Sequence, residues 1–322
     1  MNKKAQMEFA WIFAVIVGAM ILFLAFYFVG TKLLSQKYEQ ATIEAQSLDI
    51  LLNPFSQLGE ISVISQDVIA LPQRSTLSIS CDNTELGYNE ITLMQKNTAG
   101  IPRVVYDKYI FAENLEAKKF QAISAPFEMP WRVADVIILW PYEKQYCFVS
   151  APDFIEETLG NSTETSLNIS SIVFTTNKNS CPANSTTVCF QGQSSQSSNC
   201  DIIVDIVEGA LNHKGTTKKG NQRLHFAGDA LLYASIFSSK ELYDCNFKRL
   251  MARLAAQSDI YRNKAVALAS RGCSATFNLD TLKQKAETLS EASTISESSV
   301  TAIWQTAKAI EQQNDIADCS LY

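Results

Sequence analysis

Residues Phe9 to Thr31 constrain this chain more than any other stretch, because they carry no charged side chain. As a helix, 23 residues rise roughly 35 Å, enough for a hydrocarbon core of about 30 Å with some tilt. The sequence therefore predicts a transmembrane helix over 6–31. The chain beyond Thr31 is polar enough for water, so the first question is whether the apolar segment is removed or retained. A secretory signal has a shorter apolar region and a small-x-small cut site after it. Here Phe28-Val29-Gly30 precedes Thr31 and offers no such site, so the segment is expected to stay on the protein.

Composition bounds the remainder. With 47% hydrophobic and 10% aromatic residues, the body has ample material for a core. A net charge of −6 argues against nucleic acid, whose binding requires a basic surface. Eight cysteines, all after the apolar segment, are even in number and include no C-x-x-C pair. That pattern reads as disulfides rather than metal ligation. All eight are candidates: Cys81, Cys147, Cys181, Cys189, Cys200, Cys245, Cys273 and Cys319. Three acceptor triplets for N-glycosylation begin at Asn161, Asn168 and Asn184. Together these features predict a single-pass protein of the cell membrane, with a cytoplasmic N-terminus and an extracellular body.

The N-terminal flank sharpens this. Lys3-Lys4-Ala5-Gln6-Met7-Glu8-Phe9 resembles the class III signal of archaeal type IV pilin-like proteins. The resemblance covers only about the first 30 residues. It implies a leader over 1–5, cut by a prepilin-type peptidase between Ala5 and Gln6, with the apolar helix kept on the mature chain. Alanine stands where glycine is commoner before the cut, and Glu8 would be the third mature residue rather than the fifth. The resemblance further implies that the Glu8 carboxylate pairs with the amino terminus of a neighbouring subunit, against the plainer reading of an interfacial charge. The implied partners are the lipid bilayer, the peptidase, and identical or related pilin-like subunits.

Past the membrane, 32–54 lacks glycine and proline until Pro54, and Leu34, Tyr38, Ala41, Ala45, Leu48 and Leu52 recur at heptad-like spacing. A stem helix is expected there, its stripe packing either on the protein's own head or on neighbouring helices. From 55 to 200 the pattern predicts a β-rich, disulfide-stapled head with polar glycosylatable loops. Ser75–Ser80 alternates, while Val136–Trp140 and Tyr146–Val149 are short apolar runs. Residues 201–322 read as a strand and a loop, then helices. Asp201–Val207 is the strand and Leu211–Leu224 the loop.

A capping pattern of Ser238 and Glu241 opens a helix that Gly272 ends, and Leu279–Ser290 and Ser296–Ile316 supply two more. Cys245 and Cys273 would lie roughly 40 Å apart along that first helix and cannot pair. An up-down-up arrangement returns Cys319 to Cys273. Continuous later helices would bring it nearer Cys245.

The fold class is thus α+β: a transmembrane helix extended into a stem, then a mixed head with a helical C-terminal third. No G-x-S-x-G, H-E-x-x-H, P-loop or G-x-G-x-x-G motif occurs. His213 and His225, the only histidines, have no ligand set in sequence. No catalytic residue, metal or cofactor is nominated. The expected function is a non-enzymatic, membrane-anchored cell-surface protein of the pilin-like or pseudopilin-like type, with lateral helix packing into a filament or envelope assembly. The competing readings are a standalone ectodomain that binds a cell-envelope partner and an anchored extracellular enzyme.

Overall fold

The computed structural model describes residues 11, 13–29, 64–95, 98–113, 115–160, 166–191, 199–207, 213–273 and 277–322. It is α+β, built on two mixed sheets. The expected transmembrane helix extended into a stem is corrected. Among the described residues no helix is long and apolar enough to cross a membrane. The apolar helix among the described residues is α1 (13–29). The expected stem over 32–54 lies outside the described residues.

The first sheet comprises β1 (Ser65–Asp82), β2 (Tyr88–Gln95), β3 (Thr98–Ala99), β4 (Arg103–Val105), β5 (Tyr109–Ala112), β6 (Leu115–Glu128) and β7 (Arg132–Pro141). Its order is β3-β2-β1-β6-β7-β5, with β4 also on β2. All neighbours are antiparallel except β5 and β7. Strand β2 alternates buried and half-buried positions without a break, as expected for a strand with one face on a core. Only 142–145 separate β7 from β8 (Tyr146–Val149), which belongs to the second sheet, so the two sheets share a covalent corner.

The second sheet adds β9 (Ile172–Thr175), β10 (Thr186–Gln191), β11 (Ile202–Val207), β12 (Lys214–Lys219) and β13 (Gln222–Ala227). Its order is β13-β12-β11-β10-β8-β9. The four strands from β9 to β11 are parallel, and the last two are antiparallel. Strands from both sides of position 200 therefore share one sheet. The loop expected over Leu211–Leu224 holds strand β12, the turn and the start of β13. Its Lys and Thr residues carry no apolar alternation to signal a strand. The hairpin is recognisable only from Gly220, whose φ of +55° supplies the tight turn.

Between the sheets runs α3 (Asp229–Phe237), packed on β5, β6 and β7 of one and β12 and β13 of the other. Every residue from Ala230 to Phe237 is buried. A helix apolar on all sides belongs inside a core, and lacking an amphipathic period it escapes a search for one. Phe237 stacks on Trp140 at 4.3 Å and meets Tyr146 edge-on at 4.8 Å, filling the corner between the sheets. Trp140 places its indole N–H on Ser171 Oγ at 3.1 Å. A short helix, α2 (Asp153–Leu159), follows β8 and buries Ile155 and Leu159.

The C-terminal helices are α4 (Lys240–Ala269), α5 (Leu279–Glu291) and α6 (Glu297–Asp315). Helix α4 starts one residue later than its sequence signal, because the cap is Ser239, whose hydroxyl accepts from Leu242 N–H. Ser238 is instead buried and donates to Ala112 O at 3.2 Å. Helix α5 packs on α4, and α6 packs on α5, β12 and β13.

One buried cation joins α4 to the first sheet. Arg249 is 1% exposed. Its guanidinium makes five hydrogen bonds: to Leu86 O (3.1 Å), Gly87 O (3.2 Å), Lys108 O (2.9 Å), Asn89 Oδ1 (2.7 Å) and Asn246 Oδ1 (2.8 Å). It also lies 4.7 Å from the Tyr109 ring centre, a cation–π contact. The two asparagines then close the open edge of β5. Ile110 N–H donates to Asn89 Oδ1 at 3.2 Å, and Asn246 Nδ2 donates to Ile110 O at 2.7 Å. Side chains thus stand where a further strand would bond. Burial lowers the Arg249 pKa, with Tyr109, Asp107 and Asp82 opposing that shift.

Removing the guanidinium strands several buried acceptors at once. Arg249→Ala is expected to destabilise the fold by about 3–5 kcal/mol, and Arg249→Lys by a comparable amount, since one ammonium cannot span the acceptor set. Urea denaturation with the disulfides intact measures both, and a loss below about 1 kcal/mol would show that the network is not structural.

Candidate functional site

Two regions stand out chemically: the apolar helix at one end of the described chain and the disulfide-bonded head. In α1 the large apolar side chains are exposed on every side, including Phe13 at 64%, Phe23 at 70% and Phe26 at 75%, as is the neighbouring Trp11. Leaving a large apolar side chain in water costs about 1.5–3 kcal/mol. Thirteen such residues between Trp11 and Val29 amount to tens of kcal/mol, more than the ~5–15 kcal/mol stability of a typical domain. This helix requires a covering that the described chain does not provide. Ala5, Gln6 and Glu8, the residues of the expected leader cut and subunit pair, lie outside the described residues.

In the head all eight cysteines are paired. Cys81–Cys245 ties the end of β1 to the first turns of α4 across 164 positions, next to the Arg249 network. Cys147–Cys181 and Cys189–Cys200 hold the loops after β9 and β10 onto the second sheet. Cys147 and Cys189 sit on adjacent strands and form a small cluster with Val149. Cys273–Cys319 joins the end of α4 to the chain after α6, the pairing that an up-down-up arrangement requires. Of the glycosylation triplets, Asn168 and Asn184 are exposed. Both have positive φ, 49° and 66°, and so occupy turns, while Asn161 lies outside the described residues.

Two polar clusters could be taken for catalytic machinery. At the corner of the two sheets Glu113 accepts from Lys144 Nζ at 2.8 Å and Lys219 Nζ at 2.7 Å, and Lys219 Nζ also donates to Ser238 O at 2.7 Å. Burial pushes the Glu113 pKa up, but the ammonium groups of Lys219 and Lys144 outweigh it and hold the carboxyl below its ordinary range. Lys219 is itself held low, because burial exceeds the attraction of Glu113. The Tyr146 hydroxyl beside them is pushed up to about 12 by burial. These groups satisfy one another, and their bonds join β12, the end of β5 and the β7–β8 turn to the end of α3. The arrangement is a clamp.

His213 meets Asp229 at 2.8 Å and stacks on Phe154 at 3.7 Å, a contact between α2 and α3 that the sequence spacing did not signal. Among the described residues no hydroxyl or thiol is hydrogen-bonded to its other ring nitrogen. His225 contacts Thr216 Oγ1 at 2.9 Å, and burial lowers its pKa. Among the described residues no group of three or more His, Cys, Asp or Glu could hold a metal ion.

A cleft of about 330 Å³ opens between α4, α5 and the β1–β2 turn. Its floor is Ala252, Ala255 and Ala256, and its rim includes Glu85, Asp259, Lys283, Glu287 and Glu291. It holds no histidine, cysteine or threonine, and its one serine, Ser290, has its hydroxyl on Glu287 O. The chemistry of the cleft is charge, without a nucleophile–base pair.

No family model, curated protein or solved structure matches this chain.

The Glu113 clamp has a defined pH signature. A carboxyl whose folded pKa is depressed contributes stability that is complete above its unfolded value of about 4.3 and is lost as pH falls through the folded value. Glu113→Gln is therefore expected to cost about 2 kcal/mol at pH 7, with the gap to wild type narrowing below about pH 4. Thermal or urea melts across that range test it, and a gap independent of pH would remove the carboxylate as its source.

Proposed function

We propose that this chain is a non-enzymatic cell-surface protein of the pilin-like type. Its apolar N-terminal helix holds it at a lipid bilayer and packs laterally on like helices during assembly, and its disulfide-bonded head lies outside the cytoplasm. The observation that carries the proposal is the coexistence of a helix exposed and apolar on every side with a head whose cysteines are all paired. Lipid chains and like helices are the coverings that suit an all-round apolar helix. Four disulfides persist in an oxidising compartment and are rare in a reducing one. The basic stub Lys3-Lys4 with Ala5-Gln6 supports export by the pilin route, with a prepilin-type peptidase cutting between Ala5 and Gln6. Exposed Asn168 and Asn184 supply glycan acceptors on the same surface. The folded clusters around Glu113 and His213 have structural explanations, which supports a role in display and assembly over catalysis.

Intact mass of the protein extracted from its native host tests both parts of this reading. A mature chain beginning at Gln6, carrying added mass that falls when Asn168→Gln or Asn184→Gln is introduced, is the expected result. A start at Met1 or Asn2 would sink the pilin-type route. Alkylation without reduction is expected to label no cysteine, and eight labelled thiols would refute an extracytoplasmic head.

A further inference from the structure

We infer that the cleft between α4, α5 and the β1–β2 turn receives the tip of the β12–β13 hairpin of a second copy of this chain, in a head-to-tail contact. The cleft is built for cations. Its only lysine, Lys283, is already engaged by Asp259 at 2.7 Å and Glu287 at 3.7 Å. Glu85 and Glu291 are exposed on its rim and have no ion-pair partner among the described residues. Helix α5 ends at Glu291 with no basic residue in its last turn, so the negative end of its dipole adds to the same field. The alanine floor leaves room for long side chains to lie along it.

The hairpin tip has the opposite character. Lys218 and Arg223 are direct cross-strand partners, and like charges so placed are unfavourable in the isolated molecule. Neither has a carboxylate partner among the described residues. Between them the turn stands clear, since a Cβ added at Gly220 would meet nothing within 4 Å. Two cations flanking an open turn, Lys218 half-buried and Arg223 exposed, thus match two exposed carboxylates on the rim of a groove, none of the four ion-paired among the described residues.

The tip cannot occupy the cleft of its own chain. Lys219 is fixed to Ser238 O, just before α4, and the cleft begins at Ala252. Fourteen helical residues separate those points, about 21 Å, and Asp259 lies about 32 Å away. The contact therefore joins two different patches of two copies, and a heterologous contact of this kind propagates as a chain unless its rotation closes a ring. It involves only the head, so it stands or falls independently of what covers α1.

The test uses the full chain in detergent, followed by sedimentation velocity at about 20 mM and about 500 mM salt. Wild type is expected to associate at low salt and to dissociate at high salt. Glu85→Lys/Glu291→Lys and Lys218→Glu/Arg223→Glu are each expected to weaken self-association at least about tenfold, and an equimolar mixture of the two to regain it, because each reversed patch then meets its complement. A carbodiimide is expected to join Lys218 to Glu85 or Glu291 between isotope-labelled and unlabelled copies. Wild-type association that ignores salt, variants that associate like wild type, or a mixture that does not recover would each overturn the contact. Association through apolar helices does not respond to these charge reversals, so the two are separable.

Discussion

The fold rests on placing one guanidinium where water cannot reach. Arg249 meets three backbone carbonyls and two asparagines, and those asparagines close the edge of β5. A buried cation is tolerated when its donors are matched, and here the matching groups come from β2, the turn before it, the segment before β5 and α4. The same interaction thus fixes the helix on the sheet and protects a strand edge. The Cys81–Cys245 bridge fastens the same pair of elements one helical turn away, so covalent and polar constraints reinforce one another.

The second organising element is α3. A helix buried all round gains nothing from an amphipathic face and must be enclosed, and the two sheets on either side of it provide that enclosure. Its ends are held by polar groups with complementary partners: Asp229 by His213 at the start, and Ser238 O by Lys219 at the finish. Through Glu113, Lys219 and Lys144 the corner between the sheets becomes a half-buried charged clamp at the edge of the core. These groups sit at the joints of the fold, where a catalytic reading would have to explain away their structural partners.

The head is self-contained and the N-terminal helix is not. Every cysteine in the head is satisfied, whereas α1 presents aromatic and aliphatic side chains on all sides. This asymmetry is the observation on which the proposed display role rests. The acidic cleft and the basic hairpin tip extend the same logic to the head, since each is an unbalanced charge that a neighbour can neutralise.

Local periodicity made β7, β8 and α4 to α6 legible in the sequence, because their apolar spacing reflects the pitch of a strand or a helix. The rise of α4 also excluded Cys245–Cys273, and an even cysteine count pointed to disulfides. Tertiary structure decided the rest. A Lys- and Thr-rich segment became the β12–β13 hairpin because β11 offered an edge, and α3 became a helix because two sheets enclosed it. Cys81 found Cys245 across 164 positions, and Arg249, ordinary in a helical sequence, became the buried centre of the first sheet. The apolar segment obeys the same division. Its composition sets the need to leave water, while among the described residues no helix is long and apolar enough to cross a membrane. Composition sets the need for burial, and the folded structure decides which surfaces meet it within the head.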